Sequence, residues 1–124
     1  MSKKIMVVDD SRIAQLQLQE ILAGTDYEVT ACCQNGEDAL KMYDEIQPDL
    51  VTMDIVMPGM DGLDTARLIL KSHPDARVVM ISSLAYDDTI KEANAIGAKG
   101  FVYKPFDQEQ ILPAFEKAFT PVQA

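Results

Sequence analysis

Five short apolar runs alternate with five amphipathic stretches along this chain, and that alternation restricts the fold more than any other feature. Lys4–Val8 is uncharged and mostly β-branched after its first residue, the pattern of a strand buried on both faces. Tyr27–Cys33, Leu50–Met53, Arg77–Ile81 and Gly100–Tyr103 read as further strands. Ser11 is placed to cap a first helix, which carries Ile13, Leu16, Leu18, Ile21 and Leu22 and ends near Gly24. Asn35-Gly36 opens a second helix over about 37–46, with Ala39, Leu40, Tyr43 and Ile46 inward, and Pro48 stops it. A third spans about 62–72, with Leu63, Ala66, Ile69 and Leu70 inward, and a fourth about 87–96, closed by Gly97. The last begins near Asp107, where Gln110 three residues on completes a capping-box pattern. Its apolar set is Ile111, Leu112, Phe115, Ala118 and Phe119. Pro113 within that set predicts a distorted first turn or a late helix start.

Strictly alternating strands and helices imply a parallel sheet with helices on both faces. In such sheets ligands sit outside the carboxyl ends of the strands, beside the switch in strand order. A length of 124 residues suits a single domain over 1–124, with a core that needs no disulfide or metal staple. The chain shows no repeat, linker or low-complexity segment, and Pro121–Ala124 is too short a tail to be a linker.

Charge and composition exclude several classes of function. A formal net charge of −9 repels a nucleic-acid backbone, so any effect on DNA would pass through a partner. No apolar run reaches the roughly 18 residues of a membrane span. Met1-Ser2-Lys3-Lys4 leads into four apolar residues and then acids, which is not a signal peptide, and a cytoplasmic location is expected. The adjacent Cys32 and Cys33 should point to opposite faces of a strand as reduced residues. His73, beside Pro74, is not placed for phosphotransfer or ligation.

The polar residues fall where such a sheet binds ligands. Strand one ends in Asp9-Asp10, strand three in Asp54, strand four in Ser82-Ser83 and strand five in Lys104. Each has an ordinary reading alone: a solvated acid pair, a turn serine, an exposed lysine. Together they place three carboxylates, a hydroxyl and an ammonium at one sheet edge. A pair of carboxylates about 4 Å apart repels by roughly 4 kcal/mol at an effective dielectric of 20. Protonation or a bound cation relieves this, and carboxylate oxygens with water suit Mg²⁺, which favours phosphate as a further ligand. Asp54 is then a candidate nucleophile toward phosphorus. The cation and Lys104 would neutralise the equatorial oxygens, and the Ser82 hydroxyl would donate to one of them.

Val7-Val8-Asp9-Asp10-Ser11, Asp54 with Met57-Pro58-Gly59-Met60-Asp61-Gly62, Ser82, Gly97-Ala98 and Lys104-Pro105-Phe106 together resemble the receiver domain of two-component response regulators, of the stand-alone chemotaxis type. The resemblance spans about residues 3–119. It implies a flavodoxin-like fold with strand order 2-1-3-4-5 and no output domain. It implies that Asp54 is the phosphoacceptor, that Asp10 holds Mg²⁺ directly and Asp9 mainly through water, and that the Val56 backbone carbonyl is a further ligand. Lys104 would pair with Asp54 and later with the phosphate, and its bond to Pro105 would be cis. Ser82 and Phe101 would be the switch residues. The donor would be a phosphohistidine on a sensor kinase or phosphotransfer protein, or a small acyl phosphate. The output would be an effector protein bound at the face of the fourth helix, fifth strand and fifth helix, where Lys91 and Lys99 are candidate contacts. The chain would catalyse only its own phosphorylation and dephosphorylation.

Two departures from the family pattern stand out: Ser82 in place of the more frequent threonine, and Phe101 without the phenol often found there. Val56 and Leu84 make the rim apolar, which predicts poor orientation of an attacking water and a long-lived phosphoryl group. Other readings are weaker. An aspartyl-phosphate phosphatase of similar architecture carries a second acid two residues after its nucleophile, where Val56 stands here. A flavin or nucleotide module lacks its glycine-rich loop after the first strand, and the intact acid set opposes a degenerate scaffold.

Overall fold

The five strands β1 (Lys3–Val8), β2 (Tyr27–Cys33), β3 (Leu50–Asp54), β4 (Val78–Ser82) and β5 (Gly100–Tyr103) form one parallel sheet in the order β2-β1-β3-β4-β5. Between and after them lie α1 (Arg12–Leu22), α2 (Gly36–Ile46), α3 (Gly62–Ser72), α4 (Asp87–Ile96) and α5 (Gln108–Phe119). This computed structural model describes residues 2–83 and 86–120. The expectations for Leu84 and for the Pro121–Ala124 tail therefore lie outside the described residues.

Strand alternation sorts the core into two layers. Met6, Val8, Val51, Met53, Val78 and Met80 face α2, α3 and α4, whereas Ile5, Val7, Leu50, Val79, Ile81 and Val102 face α1 and α5. β3 and β4 are buried at every position, as central parallel strands covered on both faces must be. The edge strand β2 carries a bulge. Ile5 pairs with Val29 but Met6 pairs with Ala31, leaving Thr30 without a partner residue on β1. Cys32 packs toward α1 and α5 and Cys33 toward the other layer, on opposite faces as expected. Both are free thiols, and burial, with the Asp38 charge next, pushes the Cys33 thiol up to about 11.

The helix starts follow their capping residues. Ser11 Oγ accepts from the Ala14 N–H at 3.2 Å, Asn35 Oδ1 from Asp38 at 2.8 Å and Asp61 Oδ1 from Asp64 at 2.8 Å. Asp107 and Gln110 form the reciprocal capping box. Because the strands are parallel, these N-termini gather at the carboxyl edge of the sheet.

Two helices differ from what their apolar residues alone suggest. The inward face of α1 is Gln15, Leu18 and Leu22, while Ile13 and Leu16 are 70% and 48% exposed. The helix is rotated so that a polar side chain reaches the strand ends, where carbonyls need a donor. The late start allowed for by Pro113 is not seen, and α5 runs as one helix from Gln108 through Pro113 to Phe119. The capping box fixes its start, and Pro113 lies on the exposed side. The carbonyl that proline leaves unserved belongs to Glu109, itself exposed, where water can take the place of the missing N–H.

Candidate functional site

The carboxyl edge gathers Asp9, Asp10, Asp54, Ser82 and Lys104, as the strand-end reading predicts. One carboxylate oxygen each from Asp9, Asp10 and Asp54 lies within 4.8 Å of the others. The site sits where the chain leaves β1 on one side for β2 and, later, the other side for β3, the place at which such sheets open a crevice.

Asp9 is held at every polar atom. Its N–H donates to the Cys33 carbonyl at 2.9 Å, and its carbonyl accepts from Gln15 Nε2 at 2.7 Å. Its Oδ1 accepts from the Ser11 N–H at 2.9 Å and its Oδ2 from Lys104 Nζ at 2.8 Å. Asp9 is buried, whereas Asp10 is exposed and turned toward solvent access. The pair thus divides into a fixed carboxylate and one open to a ligand.

Asp54 closes β3 and is 6% exposed. Burial is the main reason its carboxyl titrates high, at about 6. The Asp9 charge adds to this, Lys104 opposes it, and Asp10 adds a smaller push. Lys104 Nζ stands 3.5 Å from Asp54 Oδ2. Burial pulls the Lys104 ammonium down, but the hydrogen bond to Asp9 and the charges of Asp54 and Asp9 outweigh it and leave it raised. The Lys104–Pro105 peptide bond is cis, as the resemblance implies.

The loop after β3 is folded tightly against the strand end. The Gly62 N–H donates to the Ile55 carbonyl at 2.8 Å. A Cβ at Gly62 would collide with the Asp54 carbonyl oxygen, so only glycine lets α3 start this close to the acid. Gly59 turns the loop with φ +74°, in the left-handed region. Val56 stands in this loop with 58% exposure at the rim.

Ser82 is buried at the end of β4, and its carbonyl accepts from the Lys104 N–H at 2.9 Å. Phe101 on β5 is half-buried. Its ring lies 5.3 Å from that of the exposed Tyr103, which no motif in the sequence marks. No motif marks Gln15 either, although its spacing to Leu18 and Leu22 puts it on the helix's inner stripe. Lys91 and Lys99 are exposed. His73 caps the C-terminus of α3 and its Nε2 meets Asp44 Oδ1 at 2.8 Å, away from the carboxyl edge of the sheet.

A doubly wound sheet with an acid triad and a lysine at its switch point defines a class of phosphate-signalling domains. The chain belongs to the response regulator receiver domain family, whose model matches residues 5–116. It is 41% identical over 115 residues to the chemotaxis protein CheY of Listeria monocytogenes, a match covering 93% of this chain and 97% of the relative. CheY of Thermotoga maritima is 37% identical over 117 residues, 94% of this chain and 98% of the relative. Among solved structures, the CheX-CheY-BeF3-Mg complex from Borrelia burgdorferi contains a similar chain. That chain matches with a TM-score of 0.92 and 32% identity, covering 96% of this chain and 90% of that one. The protein is thus a receiver of the CheY type, a component of two-component signalling. No helix among the described residues is long and apolar enough to cross a membrane.

Proposed function

We propose that this chain is a cytoplasmic signalling switch that takes a phosphoryl group onto Asp54 and passes the change on by binding a protein partner. The observation that carries the reading is the set of Asp9, Asp10 and Asp54 oxygens within 4.8 Å, with Lys104 Nζ 3.5 Å from Asp54 Oδ2. The donor is a phosphohistidine on a sensor kinase or phosphotransfer protein, or a small acyl phosphate. An Asp54 carboxylate oxygen bonds to phosphorus as the donor's P–N or P–O bond breaks. The electron pair stays on the departing imidazole nitrogen or carboxylate oxygen, and the imidazole nitrogen takes up a proton. The chain catalyses nothing beyond its own phosphorylation and dephosphorylation.

The donor set fits Mg²⁺, since all its oxygens are hard and anionic or carbonyl. Asp10, Asp54 and the Val56 carbonyl would hold the ion directly. Asp9 would act mainly through water, because both its oxygens already serve Ser11 and Lys104. Bound there, the ion would supply charge neutralisation for the phosphoryl oxygens. Lys104 would exchange its carboxylate partners for the phosphate, and the Ser82 hydroxyl would donate to one phosphoryl oxygen.

The new charge then biases a two-state equilibrium. As Ser82 moves in, Phe101 follows into the vacated space and reshapes the α4–β5–α5 face that carries Lys91 and Lys99. A full shift from 1:99 to 99:1 requires roughly 5.5 kcal/mol of differential stabilisation. A chemotaxis-type output is the reading favoured by the CheY relatives, one of which is seen in complex with CheX. To test the proposal, the chain is incubated with Mg²⁺ and an acyl phosphate. An acid-stable, base-labile phosphoryl adduct is expected, absent with a chelator and absent from Asp54→Ala. Equal labelling of Asp54→Ala rules the reading out.

A further inference from the structure

Gln15 is 1% exposed, and no catalytic or signalling role described above uses it. A buried primary amide on an otherwise apolar helix face is retained only if its hydrogen bonds are made. Here they are made to the frame of the site. Nε2 donates to the Asp9 carbonyl at 2.7 Å and leans toward the Cys33 carbonyl at 3.4 Å, while Oε1 accepts from Arg12 Nη1 at 2.9 Å. One carboxamide therefore joins the end of β1, the end of β2 and the first turn of α1.

The Asp9 carbonyl belongs to the peptide plane that leads into Asp10. Fixing that oxygen fixes the plane, and with it the direction in which the Asp10 side chain leaves the backbone. Asp9 has its own side-chain partners in Ser11 and Lys104, whereas Asp10 is exposed. The backbone is thus the main restraint on the open carboxylate of the triad. We infer that Gln15 is a positioning residue for the cation site: its bond to the Asp9 carbonyl aims Asp10 at the point it shares with Asp54. The inference rests on reading the acid cluster as a cation site. Groups that orient metal ligands without touching the metal typically change affinity by about 10–100-fold when removed.

The informative variant is Gln15→Met, which keeps the length and the uncharged state but has no N–H to donate. Alanine is unsuitable, because a cleft of about 560 Å³ lined by Gln15, Arg12, Cys33 and Lys41 would let water replace the amide. Leu22→Val, at the far end of the same buried stripe, controls for loosened α1 packing. Mg²⁺ affinity is measured by titration calorimetry on each folded protein, together with the backbone amide shift of Asp10 without metal. Gln15→Met is expected to bind Mg²⁺ about tenfold more weakly and to move the Asp10 amide, with Leu22→Val unchanged in both. Gln15→Met within twofold of wild type, or Leu22→Val weakened as much, overturns the inference alone. A wild-type chain that binds no Mg²⁺ overturns the reading of the site beneath it.

Discussion

Lys104 is bound more closely to Asp9 than to Asp54: its Nζ lies 2.8 Å from Asp9 Oδ2 and 3.5 Å from Asp54 Oδ2. The resemblance alone pairs the lysine with the phosphoacceptor. The geometry instead leaves Asp54 with the weaker share of the ammonium, buried and only partly neutralised. The lysine is tethered to Asp9 beside Asp54, from where, in the proposed switch, it would transfer to an incoming phosphate.

Removing that ammonium leaves Asp9 buried without its cation. Lys104→Met is expected to lower stability by about 2–3 kcal/mol at pH 7 without metal, less than for a fully enclosed pair because Lys104 is partly exposed. Saturating Mg²⁺ should narrow the gap, since the ion takes over part of the neutralisation. Urea denaturation with and without Mg²⁺ checks both statements.

Asp54 makes the protein less stable as it ionises. Its carboxyl titrates at about 6 in the fold against 3.8 as a free side chain, so the native state binds the extra proton between those values. Stability through this group is therefore full below about pH 4, falls as pH rises through 6, and stays reduced above it. Asp54→Asn is expected to be more stable than wild type at pH 7 by at most about 3 kcal/mol, with solvent screening reducing the gain. The advantage should vanish near pH 3.5, and Mg²⁺ should raise the melting temperature of wild type more than that of the variant.

Gly62 sets the distance between α3 and the acid. Gly62→Ala must displace either the Asp54 carbonyl or the helix start, because the new methyl would overlap backbone atoms that cannot swing aside. The expected result is a loss of about 2 kcal/mol or more in stability, together with weaker Mg²⁺ binding. Calorimetry separates the two effects.

Val56 is expected to bear on the lifetime of the phosphoryl group. With 58% exposure at the rim, its isopropyl group offers no hydrogen bond to orient an attacking water. Val56→Asn is expected to shorten the half-life of the phosphorylated chain several-fold with little change in stability. An unchanged decay rate in a stopped phosphorylation reaction would show that Val56 has no part in loss of the phosphoryl group.

The alternation of elements and the polar strand ends are both readable in the sequence because parallel strands force distant termini to one edge. Asp9, Asp10, Asp54, Ser82 and Lys104 are found together for that reason alone. What the sequence hides depends on helix rotation. Ile13 and Leu16 draw the apolar reading of α1 to the wrong face, and although Gln15 shares a stripe with Leu18 and Leu22, its polarity hides that it is wanted inside to serve carbonyls at the ends of β1 and β2. Pro113 misleads in the opposite direction: a proline in the second turn is tolerable where the orphaned carbonyl faces water, and exposure is a tertiary property. Tyr103 escapes notice because its partner in contact, Phe101, lies two residues away on a strand whose facing could not be fixed beforehand.

In the proposed reaction the phosphoryl group goes to the β3 carboxylate. Borohydride reduces an aspartyl phosphate to homoserine, so reduction of the acyl-phosphate-treated chain followed by peptide mass mapping marks the modified residue. Homoserine is expected at position 54 alone, dependent on Mg²⁺. Homoserine at position 9 or 10, or none in a chain that carries stable label, would contradict it.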